Sequence, residues 1–169
     1  RCSRDWSSDV CSSDLFTPKK TYNHMGDLQR FIEAQDSTYA GYATALQEIK
    51  QGRKTSHWIW YIFPQIQGLG HSYNARYYAL EDIEEAKAYL KNEMLNHRLR
   101  EITETLLSHK EESAQSILGG IDAIKVCSCM TLFNAVSPND IFKQVIDTFY
   151  NGKLDNRTLS IITPRQHEQ

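Results

Sequence analysis

The chain has 169 residues, with 19 Lys and Arg against 21 Asp and Glu and a formal net charge of −2. That balance lacks the basic footprint of bulk nucleic-acid binding, and no apolar run approaches the roughly 20 residues of a membrane-spanning helix. The length suits one domain with a real core and falls short of two.

The first stretch, RCSRDWSSDVCSSDL, has neither helical nor strand periodicity and repeats WSSD as CSSD. Asp9 to Leu15 is what a common sequencing-library adapter would encode in frame, so residues 1–15 are read as a translation artefact outside the fold. Residues 16–25 are expected to be a flexible lead-in, 26–163 the domain and 164–169 a tail, with residues 1–25 poorly packed. Within the domain the cysteines are Cys127 and Cys129. Two positions apart on a helix, they point about 200° from each other and converge neither on a metal nor on a disulfide. Unpaired thiols and no export signal point to a cytoplasmic protein.

From there the dominant period is helical. Asp27 is placed to cap a helix bearing Leu28, Phe31 and Ile32, and Asp36 or Ser37 to cap a second bearing Tyr39, Tyr42, Ala43, Leu46 and Ile49, stopped by Gly52. Further helices are expected over Glu81–Lys91, Met94–Leu107, Ala114–Leu118 (closed by Gly119-Gly120), Asp122–Val136 and Asp140–Tyr150 (ended by Asn151-Gly152). On the Asp122–Val136 helix, Ile124, Cys127, Thr131 and Phe133-Asn134 are expected to lie near one another. Sustained alternation is missing, so no sheet is expected. Short connections predict an all-α fold: a compact, multihelical orthogonal bundle in a single domain.

The stretches DLQRFIEAQ, GRKTSHWIWYIFPQIQGLGHS, EAKAYL, KVCSCMTLFNAV and DNRTLSII together resemble an all-helical bacterial family, domain-of-unknown-function family 1810, sometimes mislabelled calpastatin. The resemblance runs from about Gly26 to Ile162. It implies an all-α multihelical domain and carries no established activity.

The chemistry concentrates in SHWIWYIFPQ. As a short helix, Ser56–Phe63 would put His57, Trp60 and Tyr61 on one face and Trp58, Ile59, Ile62 and Phe63 opposite. As a strand it would group His57, Ile59, Tyr61 and Phe63 instead. Pro64 forbids a longer regular helix. Core packing is the default role for aromatics of this size. Against it stand the polar neighbours Arg53, Lys54, Ser56, His57 and Gln65, followed by GLGHS with Ser72 and Arg76.

Backbone N–H groups after Gly70, with Arg76 one turn inside the helix that Ser72 opens, are candidates for an anion contact; the alternative is a pair of simple turn glycines. His57 is the candidate acid/base if the protein is an enzyme, and otherwise a histidine bonded within the core. Lys125, Ser128 and Thr131 form a second polar set. They either satisfy neighbouring backbone or, for Lys125 and Thr131, join the same pocket. The histidines lack metal-ligand spacing, so neither metal nor cofactor is expected.

The leading functional expectation is a small-molecule binding domain. Its pocket would stack a planar group on Trp58 or Trp60 and hold a phosphate or carboxylate with Arg53, Lys54, Gln65 and Arg76, with Ser56, His57, Ser72, Lys125 and Thr131 completing the lining. A phosphorylated, nucleotide-like or ADP-ribose-like ligand suits both halves. One alternative is a metal-independent hydrolase or transferase acting on such a ligand through His57, and another is an interaction module that displays the aromatic segment to a partner protein. The oligomeric state is not encoded in these patterns.

Overall fold

The computed structural model describes residues 28–164. The expectations for residues 1–27, including the Asp27 cap, and for residues 165–169 lie outside the described residues. Helices and connecting loops make up the described chain, with a lone parallel bridge between Ile66 and Leu80. The helices are α1 (Gln29–Gln35), α2 (Tyr42–Lys50), α3 (Ile59–Ile62), α4 (Tyr73–Tyr77) and α5 (Ile83–Lys91). They continue with α6 (Glu93–Leu107), α7 (Ala114–Leu118), α8 (Gly120–Val136), α9 (Ile141–Phe149) and α10 (Asn156–Ile162). The all-α reading therefore holds, and the buried apolar side chains form one cluster drawn from nearly every helix.

Most starts follow from local capping. Asp82, Asn92, Ser113 and Asp155 each accept a backbone N–H of their helix's first turn, satisfying donors that have no partner inside the helix. Asp140 caps α9 through the Ile141 N–H, accepts the Ser137 hydroxyl and takes Arg100 bidentately at 2.8 and 2.9 Å. Those bonds, the Arg100 pair first among them, hold its carboxyl well below the usual carboxylate range.

The second helix begins later than its pattern suggested. Asp36 closes α1, and α2 starts only at Tyr42 after an extended Gly41. Ala40 sits at φ 51°, and a Cβ on Gly41 would lie 2.0 Å from the Ser37 carbonyl oxygen, so the turn breaks any helix capped at Asp36 or Ser37. Tyr39, expected on the apolar face, is 86% exposed.

The eighth helix is the axis of the molecule, packing against α5, α7, α9 and α10. It is apolar all round, and residues 128–133 are continuously buried. The apolar grouping expected from Ile124 to Asn134 does not form a buried face. Ile124 is 67% exposed and Cys127 half-buried, because only the middle of α8, residues 128–133, is fully surrounded while its first turns reach the surface.

Two polar anchors, Glu48 buried and Asp155 half-buried, fix the loops. The Glu48 carboxylate on α2 accepts the backbone N–H and hydroxyl of both Thr55 and Ser56 and the indole N–H of Trp58. Burial by itself would raise its pKa; the hydrogen bonds outweigh it and bring the value from 4.5 to about 2. Near the other end of the chain, Asp155 caps α10 and accepts the Ser128 hydroxyl, and its N–H donates to Thr131 Oγ1.

Because the native carboxyl of Glu48 titrates below its unfolded value, its stabilisation is complete above about pH 4.5 and is lost as pH falls toward 2. The shift corresponds to roughly 3 kcal/mol at neutral pH. Urea unfolding of Glu48→Gln should show a deficit of that order at neutral pH that shrinks steadily below pH 4.5; a deficit independent of pH would show that the charge is not what matters. Asp155→Ala should lower stability by about 2 kcal/mol and raise amide exchange first in residues 156–162, through loss of the cap and of the Ser128 partner.

Candidate functional site

The aromatic segment adopts the helical alternative. In α3 the side chains of Trp58, Ile59, Ile62 and Phe63 are buried, whereas His57 is exposed and Trp60 and Tyr61 are partly open. Glu48 sets this phase: by holding the Trp58 indole N–H at 2.5 Å it turns Trp58 inward and leaves His57 and Trp60 on the outer side. The segment encloses the Trp58 and Phe63 rings and shows the edge bearing His57 and Trp60 to solvent, as a pocket wall would.

That edge faces the start of α8 across a cavity of about 400 Å³. Lys54, His57, Ile59 and Trp60 form one wall; Leu118 to Asp122 and Lys125 form the other. Gly119, at φ 85°, lets α7 turn directly into α8, and α8 begins without a side-chain cap. A Cβ on Gly119 or Gly120 would meet nothing within 4 Å, so the glycines keep this wall low. The first turn thus presents backbone donors and the positive end of a 17-residue helix to the cavity.

Charge in the cavity is organised by Asp122. Lys54 Nζ lies 2.8 Å from Asp122 Oδ2, donates to the Ser56 carbonyl and sits 4.9 Å from the Trp58 ring centroid. Lys125 Nζ lies 3.6 Å from Asp122 Oδ1 and 5.2 Å from the Trp60 ring centroid. The imidazole of His57 meets no protein partner among the described residues; only its backbone carbonyl accepts a hydrogen bond, from the Tyr61 hydroxyl.

Of the expected binding residues, Lys54, His57, Trp60 and Lys125 come together. The others are placed elsewhere. Ser56 and Trp58 are bound to Glu48, and Trp58 is fully buried with no face to offer a ligand. Thr131 is 1% exposed; its hydroxyl donates to the Cys127 carbonyl and accepts the Asp155 N–H. Arg53 is exposed and does not line the cavity. Gln65 does not line the cavity; its backbone carbonyl accepts the Leu80 N–H. Ser72 caps the five-residue α4, and Arg76 donates to the His71 carbonyl beside a separate shallow surface formed with Tyr73 and Tyr77. The anion contact expected near Gly70 is thus spatially distinct from the cavity.

The pattern reading missed Asp122, the Gly119-Gly120 wall and Ile121. The available signal was a double glycine leading directly into an apolar helix without a Ser, Thr, Asn or Asp cap, which marks an open helix start as much as a helix stop. Burial raises the thiol pKa of both cysteines, with Asp155 adding to the effect at Cys127, so neither thiol is primed as a nucleophile. Among the described residues no three His, Cys, Asp or Glu side chains gather in a group able to hold a metal, and no helix is long and apolar enough to cross a membrane.

Residues 25–162 match the family described as "Protein of unknown function (DUF1810)". The conserved hypothetical protein Rv1873 from Mycobacterium tuberculosis, known as a crystal structure, is similar in sequence and fold. Identity is 37% and the TM-score 0.78, covering 82% of this chain and 97% of that one. No curated protein matches the chain. The family match spans nearly all of the described domain and the solved relative shares its helical architecture, so the chain belongs to the DUF1810 family.

Proposed function

We propose that this protein is a small-molecule binding domain whose ligand is phosphorylated and nucleotide-like, held in the cavity between α3 and the start of α8. One observation carries the reading: His57 and Trp60 from the aromatic segment and Lys125 from α8 line one open cavity of about 400 Å³ together with the uncapped first turn of α8. A planar group finds the Trp60 ring, and an anion finds Lys125 and the helix-end amides. Isolated core packing would require none of these polar groups.

Binding without chemistry is preferred because no catalytic set assembles around His57. An acid/base histidine is ordinarily oriented by a second group, and among the described residues none hydrogen-bonds this imidazole. The domain would accordingly sense, carry or sequester its ligand.

The test is a thermal-shift screen of the protein against nucleotides, ADP-ribose and sugar phosphates, with mass analysis of each ligand afterwards. A ligand at 100 times its dissociation constant should add about 2.7 kcal/mol and raise melting by several degrees. Trp60→Ala and Lys125→Ala should each abolish most of the shift; Lys125→Ala should leave the unliganded melting temperature nearly unchanged, whereas Trp60→Ala should lower it because that ring also packs against the core. A ligand recovered with altered mass, and spared by His57→Ala, would replace the binder by an enzyme. No shift from any compound would overturn the reading.

A further inference from the structure

The distribution of charge in the cavity narrows the ligand class, an inference that rests on the ring-and-anion reading above. Lys54 is committed to the protein. Its side chain is only 7% exposed, and its ammonium is shared by Asp122, the Ser56 carbonyl and the Trp58 ring. Lys125 is held loosely. Its side chain is 26% exposed, its ammonium stands 3.6 Å from Asp122, beyond a normal hydrogen bond, and it lies over Trp60.

The available ring and the available cation therefore occupy each other. A flat group settling on Trp60 must displace the Lys125 ammonium, which then needs a new anion in the same small space. A neutral ring alone leaves that charge only its 3.6 Å pair with Asp122, and a bare anion gains no stacking. The ligand has to supply both parts in one molecule.

The number of charges it can carry is limited as well. Lys54, Lys125 and Asp122 together carry one net positive charge. One negative charge is neutralised, and a second is brought close to the Asp122 carboxylate, where like charges repel.

We infer that the cavity takes a planar ring joined to a single negative charge, the nucleoside phosphodiester class to which 3′,5′-cyclic nucleotides belong, and that Lys125 exchanges Trp60 for the phosphodiester on binding. Asp122 is then the residue that discriminates against di- and polyphosphates.

Calorimetric titration of the whole chain with the 3′,5′-cyclic monophosphates of adenosine and guanosine, with ADP, with adenosine and with inorganic phosphate tests this. At least one cyclic nucleotide should bind roughly tenfold more tightly than ADP, with adenosine and phosphate weaker still. Lys125→Met should act with opposite signs, weakening the cyclic nucleotide by roughly tenfold and tightening adenosine by uncovering Trp60. A merely structural lysine would weaken both ligands together, and that outcome overturns the inference, as does a wild-type preference for ADP. In either of those cases nucleotides still bind and the broader reading stands, whereas a wild-type protein that binds none of these probes removes both.

Discussion

The buried Glu48 carboxylate is the constraint on which the site depends. An ion withdrawn from water must have its oxygens filled, and here five donors from Thr55, Ser56 and Trp58 do so. Three residues of a loop that would otherwise wander are thereby fastened to α2. Because Trp58 is drawn inward, the short turn of helix that follows has only one possible phase, and Trp60 and His57 are left outward. Lys54, just before the fastened residues, is carried to Asp122 at the start of α8. One carboxylate thus ties the geometry of the cavity to the integrity of the core.

The same economy appears at α8. A helix apolar on every side must be surrounded, and α5, α7, α9 and α10 supply the surroundings. Its first turns are the part left uncovered, with Ile121 and Ile124 at 73% and 67% exposure. Gly119 allows the preceding helix to turn straight into this one, so no capping loop stands over the helix start. The site is the place where the central helix of the core breaks the surface, which joins a rigid scaffold to an accessible mouth.

Polar residues in such a fold divide into those that hold the chain and those left to meet something else, and residue type alone does not sort them. Ser56 and Thr131 look as available in sequence as His57 and Lys125. In the structure the hydroxyls of the first two are consumed by Glu48 and by the Cys127–Asp155 pair, whereas among the described residues the His57 imidazole has no hydrogen-bond partner and Lys125 is held only by Asp122 at 3.6 Å and the Trp60 ring. Tryptophan divides in the same way: Trp58 is core and Trp60 is wall, two residues apart.

The helical period of the chain, its stops at Gly52 and Asn151-Gly152 and its caps at Asp140 and Ser72 determined by themselves an all-α fold with most helices in place. These are local effects, in which a residue's neighbours three or four positions away decide the outcome. The amphipathic pattern failed at Tyr39 and at Ile124, where a positive-φ turn and the limits of surrounding helices overrode it. Which polar groups would converge was decided only by the tertiary structure. Lys54 and Lys125 stand 71 positions apart and meet because both reach Asp122. That meeting depends on the burial of Glu48 and on the path of α8 through the core, and neither is written in the spacing of any one segment.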